Sequence, residues 1–268
     1  MKKLAINYEN VISVQKDLNQ TLNQTFKYLK NAGISALEVR YDRFFENPNL
    51  YSEILIAGMT VASVFYMGDL GVSDNYAKEL EVIDFCAEHK IGNIMLLTQP
   101  KISPELDLDK YYFNLKQNLR RIVNYASIYG VKIGIENFGK EDSAFSSCER
   151  VSDILNSVKG LYLVYDSGNF FLAGENAVDA FNLFKDRISR VHIKDRGISD
   201  NSGKNEQISV NGEKTCVYPL GEGGCDMQNL LKQISLTDLE CCLEFDFVSN
   251  NLFEDIEKSA IYYLSEGN

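Results

Sequence analysis

Apolar and polar positions along the chain switch repeatedly between two periods. Short runs with alternating or continuous apolar residues read as strands. Each is followed by a stretch whose apolar residues recur every three or four positions, the period of a helix buried on one face. "KLAIN" is the first strand, and Leu18, Leu22, Phe26 and Leu29 mark the helical pattern after it. "ISALEVR" follows a helix stop at Asn31-Ala32-Gly33. "MTVASVFYM" precedes a helix carrying Tyr76, Leu80, Ile83 and Ala87, and "NIMLLT" a long one with Leu115, Leu119, Ile122, Val123 and Ala126 on one face. "KIGIENF", "LYLVYD", "ISRVHIKD" and "LECCLEF" complete the series, and the last helix presents Leu252, Ile256, Ala260 and Tyr263.

Eight strand–helix units in 268 residues predict an α/β protein of (β/α)₈ TIM-barrel type, with residues 1–268 as a single domain. The rival, an open doubly wound sheet, normally carries a glycine-rich phosphate loop after its first strand, and "INYENVIS" has none. One connection is abnormally long. Residues 196–225 separate the seventh strand from its helix, and "QISVNGEKTCVY" inside them sets Asn211-Gly212 between strand-like flanks, a strong hairpin signal. Such a loop reads as a lid or as an inert surface excursion.

Composition narrows the partners. A net charge of -11 argues against nucleic acid or an anionic membrane, though a local basic cluster still suits a small anion. No 18-residue apolar run and no secretory leader pattern occur, so the expectation is a cytoplasmic protein. The six cysteines form no C-x-x-C pair, which points to reduced thiols rather than a structural zinc.

The chemistry lies at the strand ends. Side chains alternate along a strand, so each strand has two phases. Gly134 and Glu136 share one phase of the fifth strand, Val164 and Asp166 of the sixth, Arg190, His192 and Lys194 of the seventh, and Cys242 and Glu244 of the eighth. In a barrel this phase points inward, and Glu136, Asp166, His192 and Glu244 meet at the C-terminal mouth. Taken singly, such an acid is a helix cap or a surface charge, and such a histidine an ordinary polar residue. Three crowded carboxylates repel one another, and one divalent cation removes the conflict. Their oxygens with one imidazole suit Mn²⁺, Mg²⁺, Co²⁺ or Zn²⁺. Lys194 shares the inward phase and suits a substrate anion or hydroxyl, or a rim salt bridge. Arg40 and Arg196 stand near the mouth, as phosphate or carboxylate binders or as plain rim charges. Tyr8, Tyr66, Phe138 and Phe245 are candidate sugar-packing rings or simply core.

"GISALEVR", "IGIENFG", "LVYDSGN", "RVHIKD", "YPLGEGGCD" and "CLEF", in that order, resemble the xylose isomerase-like TIM-barrel superfamily, in its sugar phosphate isomerase/epimerase branch. The resemblance implies a divalent metal held by Glu136, Asp166, His192 and Glu244, with Glu136 and Glu244 as the acid/base pair. It implies proton transfer on a small carbohydrate or sugar phosphate through a metal-stabilised cis-enediolate, and an enzyme that is an isomerase or epimerase. Dehydration of an inosose-like keto-polyol is the alternative, and a non-catalytic sugar-binding barrel the third reading. Many relatives carry a histidine where this chain has Asn169, a position that contacts substrate or water. Only His89 and His192 occur, too few for the trinuclear zinc site of the related DNA-repair enzymes. Homo-oligomers are common in the superfamily, and no residue pattern here specifies one.

Overall fold

The computed structural model describes residues 3–98, 106–140, 143, 145–200, 206–245 and 251–266. The barrel strands are β1 (Leu4–Asn7), β2 (Ile34–Arg40), β3 (Thr60–Gly68), β4 (Asn93–Thr98), β5 (Lys132–Glu136), β6 (Tyr162–Asp166), β7 (Ile188–Ile193) and β11 (Cys241–Leu243). All pair in parallel and close in the order β1-β2-β3-β4-β5-β6-β7-β11. Around them lie α1 (Tyr8–Asp17), α2 (Leu22–Asn31), α3 (Arg43–Glu46), α4 (Leu50–Ile56), α5 (Ala77–Glu88), α6 (Leu108–Ile128), α7 (Cys148–Ser157), α8 (Ser167–Leu172), α9 (Ala177–Phe184), α10 (Met227–Ser235) and α11 (Leu252–Glu266). This is the (β/α)₈ TIM barrel that the alternating periods predict. No described helix is long and apolar enough to cross a membrane.

The two strand phases separate as expected. Ile133, Ile135, Leu163, Tyr165, Val191, Ile193 and Leu243 belong to the large core between strands and helices. The opposite phase fills the barrel interior in two small apolar groups: Ala5, Ala36 and Cys242, then Phe65, Met95 and Val164. Register sets the polar members side by side, with Glu38 opposite Ser63, Asp166 opposite His192, and His192 opposite Cys242. All six cysteines are free.

One boundary differs from the sequence reading. Leu18 closes α1 instead of opening the next helix. The cause is local: Thr21 and Gln24 form a reciprocal capping box that starts α2 afresh at Leu22. Helix α2 then ends at Asn31 with Gly33 at φ +91°, as the Asn31-Ala32-Gly33 stop implies.

The long connection after β7 carries a three-stranded antiparallel sheet of β8 (Asp195–Ile198), β10 (Lys214–Tyr218) and β9 (Gln207–Ile208). Strands β9 and β10 form the expected hairpin around Asn211-Gly212, where Gly212 takes φ +81°. Residues 201–205 of this connection lie outside the described residues. The hairpin rests on the end of α8, where the Val210 amide donates to Leu172 O at 3.0 Å.

Beyond the sheet, Asp195 gathers the "GEGGC" turn. Its buried carboxylate accepts from the backbone amides of Gly221 (2.8 Å), Gly223 (2.9 Å) and Cys225 (3.1 Å). A Cβ on Gly223 would meet Asp195 Oδ1 at 2.3 Å, so only glycine lets the turn close over the carboxylate. Asp195→Ala orphans three donors and is expected to cost about 3 kcal/mol, roughly 6–12 °C in Tm. Thermal unfolding followed by circular dichroism checks this; a Tm within about 2 °C of the parent would show that other contacts hold the turn.

Candidate metal centre

The four strand-end residues singled out above converge. One potential ligand atom from each of Glu136, Asp166, His192 and Glu244 lies within 4.8 Å of the others. Glu136, Asp166 and His192 are buried, and the Glu244 side chain is 22 % exposed. His192 Nδ1 faces Glu136 Oε1 at 2.7 Å and Glu244 Oε2 at 2.8 Å. The Lys194 ammonium, also buried, sits 3.0 Å from Asp166 Oδ2 and 3.3 Å from Glu244 Oε1.

Local structure explains why these side chains point where they do. Asp166 ends β6 and is also the N-cap of α8, its Oδ1 accepting from the Asn169 amide at 2.7 Å. One oxygen is thereby fixed, and Oδ2 is turned to the centre. Asn137 falls in the opposite phase and clips the ends of β5 and β6 together. Its Nδ2 donates to Asp166 O (2.9 Å) and its Oδ1 accepts from the Asp166 amide (2.8 Å). Asn169 completes the latch by donating to Asn137 O at 3.0 Å.

The electrostatics are those of crowded acids. Burial first, then the neighbouring Glu244 charge, pushes Glu136 up to about 7. Burial also raises Asp166, only partly relieved by Lys194. For Glu244 burial acts upward, but the Lys194 ammonium and His192 outweigh it and hold the carboxyl well below its usual range. For His192 burial acts downward, and the surrounding carboxylates, Glu38 and Glu244 foremost, overcome it and raise the imidazole well above its usual range.

A divalent cation fits this donor set. Asp166 Oδ2 and Glu244 Oε2 are buried without an aligned hydrogen bond, their charges met only by the Lys194 ammonium and the His192 ring, so each retains capacity for a metal bond. Three carboxylates and one imidazole match a hard or borderline ion, and none of them needs to move to another strand to reach it.

The centre opens into a cleft of about 330 Å³ lined by Glu136, Glu244, Lys194, Asn169 and Arg40, with Phe138 on its wall. Three of the expected substrate contacts, Lys194, Asn169 and Arg40, are thus brought to one space. Arg196 is not. It is fully buried in the small sheet, where Nη1 donates to Thr215 Oγ1 at 3.1 Å. The loop carries the side chain under the hairpin instead of toward the mouth. Of the four aromatic candidates, Phe138 reaches the cleft and Tyr66 lines an adjoining pocket of about 570 Å³, while Tyr8 and Phe245 are core.

Sequence reasoning passed over Glu38. It is fully buried in the barrel, with Oε1 2.9 Å from His192 Nε2. The signal was available: in "LEVR" it shares the phase of Arg40, two residues on, so the rule that found the other four applies to it as well.

Comparisons with known proteins agree with this architecture. The family model described as "Xylose isomerase-like TIM barrel" matches residues 72–258. An inosose dehydratase of Clostridium beijerinckii is 24% identical over 200 residues, covering 65% of this chain and 63% of that protein, so the match spans just under two thirds of the relative. Another, from Clostridium botulinum, is 22% identical over 241 residues, covering 82% and 80%. Among solved structures, the probable 3-DHS dehydratase AsbF of Bacillus anthracis has a TM-score of 0.76 at 17% identity, covering 99% of this chain and 100% of that one. The IOLI protein, determined with a bound zinc atom, gives 0.75 at 16%, covering 100% and 98%. D-psicose 3-epimerase of Clostridium cellulolyticum H10 gives 0.72 at 11%, covering 100% and 98%. With the closed barrel, its in-phase strand ends and a family match over most of its length, this chain belongs to the xylose isomerase-like TIM barrel family.

Proposed function

We propose that this protein is a divalent-metal-dependent enzyme that shifts a proton next to the carbonyl of a small hydroxylated ketone, as an isomerase or epimerase of a carbohydrate or its phosphate. The observation that carries the reading is the convergence of Glu136, Asp166, His192 and Glu244 within 4.8 Å at the floor of an open cleft. These four would hold the cation, which when bound supplies Lewis-acid stabilisation of charge developing on substrate oxygens.

The chain's own residues supply the proton handling. Glu136 and Glu244 reach the cleft from β5 and from the end of β11, with β6 and β7 between them. Their surroundings differ: Glu244 lies beside the Lys194 ammonium, and Glu136 is the more deeply buried of the two. Glu244, kept ionised beside Lys194, is suited to accept the proton. Glu136, against His192, is placed to take up or return the proton on the other side of the transfer. Lys194 and Asn169 line the same space and are placed to bind substrate hydroxyls or the developing oxyanion.

Dehydration is the second reading, favoured by the two inosose dehydratases among the relatives and by the dehydratase among the structural neighbours. Both reactions start with loss of the same proton and part at the next step. The test is metal analysis, then incubation with ketoses, their phosphates and cyclic keto-polyols in deuterium oxide. Deuterium in a rearranged sugar supports isomerisation or epimerisation. A product lighter by one water supports the lyase. Absence of both exchange and turnover across the panel, in metal-replete protein, would leave the binding-protein reading.

Arg40 is the candidate anion anchor. It lines the cleft, its side chain is 29 % exposed, and Asp42 and Glu46 hold it only loosely, at 3.7 and 3.6 Å. Arg40→Ala is expected to raise KM for a phosphorylated substrate by about tenfold with little change in kcat, the mark of lost uniform binding. An unaltered KM in steady-state kinetics would remove Arg40 from the binding site.

A further inference from the structure

We propose that Glu38, Ser63 and Arg190 form a positioning device in the barrel interior, which holds the His192 ring with Nδ1 toward the cation and closes its Nε2 side to any second ion. The proposal rests on the metal reading of the site and concerns residues that are not among its ligands.

Glu38, Ser63, Arg190 and His192 are all no more than 1 % exposed, so water cannot substitute for any of their contacts. Glu38 Oε1 lies 2.9 Å from His192 Nε2, a charge contact without hydrogen-bond alignment, and neither atom has a hydrogen-bond partner among the described residues. The second oxygen of Glu38 is fixed as well. Ser63 Oγ, its neighbour across the β2–β3 ladder, donates to Oε2 at 2.5 Å, and Arg190 Nε stands 3.7 Å from the same atom. Arg190 is anchored from its far side by Nη1 donating to Glu240 Oε2 at 3.3 Å. The carboxylate therefore cannot rotate away, and its charge is held 2.9 Å from the Nε2 side of the imidazole. A carboxylate held against Nε2 favours the ring proton on that nitrogen, which would free Nδ1, now paired with Glu136 and Glu244 at 2.7 and 2.8 Å, to bind a cation.

A rival use of the same atoms is a second metal site. Glu38, His192 and Cys242 also bring ligand atoms within 4.8 Å of one another. The guanidinium argues against it. Arg190 already balances the single Glu38 carboxylate, whereas three carboxylates outweigh the Lys194 ammonium at the first centre, so a cation on the Nε2 side would meet no net negative charge. Cys242 packs with Ala5 and Ala36 as a small apolar residue of the barrel floor.

The experiment is a titration of Mn²⁺ into the chelator-stripped protein, read by the electron paramagnetic resonance of free Mn²⁺. Zn²⁺ stoichiometry is measured in parallel. One ion per chain is expected, unaffected by Cys242→Ser. Glu38→Gln is expected to weaken binding by about 10–100-fold. In a His192→Asn background the same change should cost nothing further, because Glu38 acts through the ring. If Glu38→Gln does not fold, as circular dichroism will show, Ser63→Ala carries the test. It should weaken binding by about threefold, and again only when His192 is present. The proposal is overturned by unaltered affinity in both variants, by an equal loss with and without His192, or by a second Zn²⁺ that disappears in Cys242→Ser. Failure of the unsubstituted protein to bind any ion is a different result, and sinks the metal reading itself.

Discussion

Glu244→Gln and Glu136→Gln are each expected to lower substrate-dependent proton exchange by about a thousandfold, the scale of a positioned general acid or base. Glutamine keeps the shape of the side chain and cannot take up or release the proton. The two variants should differ in their metal content. Both carboxylates lie against His192 Nδ1, but Glu244 is partly exposed at the end of the barrel strand and Glu136 is buried, so the loss of metal should be larger in Glu136→Gln. Neutralising either also removes one negative donor from the cation, so the rates are to be compared at saturating metal, with content measured by mass spectrometry. Solvent deuterium incorporation, followed by nuclear magnetic resonance, isolates the proton step from later ones. Rates within about tenfold of the parent in both variants would end the acid/base assignment.

Removing the cation is expected to have the second large effect, on both activity and stability. Chelation should abolish turnover. Adding metal back at about a hundred times its dissociation constant should stabilise the fold by about 2.7 kcal/mol, roughly 5–10 °C in Tm. The gain should depend on pH, and its sign follows from the acids. In the metal-free folded site Glu136 keeps its proton up to about 7, while in the unfolded chain it loses it in the ordinary carboxylate range. Ionising it in place therefore costs stability as pH rises through that window. A cation replaces the proton and offsets that cost, so the metal-induced rise in Tm should be largest above pH 7. Below pH 7 the apparent affinity should fall as protons compete for Glu136 and His192. Calorimetric scans from pH 5 to pH 8, with and without metal, check this. A metal effect that is absent, or that grows toward acid, would contradict the site.

Much of the barrel was legible because its signals are local. The outward phase of each strand is a run of Ile, Val and Leu, the helices repeat at the helical period, and Asn211-Gly212 marks a hairpin without reference to the rest of the chain. The split between α1 and α2 was also written locally, in the Thr21–Gln24 pair, but a continuous apolar pattern across Leu18 and Leu22 concealed it. The candidate site was legible to the extent that it obeys phase. Glu136, Asp166, His192 and Glu244 share one phase on neighbouring strands, and the structure brings them together.

Distance and direction across the barrel were not. Arg196 stands two residues beyond Lys194, yet the backbone enters the small sheet and takes the guanidinium to Thr215. Glu38 is far from His192 in sequence, on a strand with two others between, and becomes its partner only when the sheet closes. The sequence by itself thus determined the element order, the buried phase of each strand and which polar groups must end up inside, because period and apolarity are properties of adjacent residues. The tertiary structure alone decided which of those groups touch, that one oxygen of Asp166 caps a helix while the other faces the cleft, and that His192 lies between two sets of carboxylates. Those contacts depend on strand register and barrel closure, which join residues that no local pattern connects.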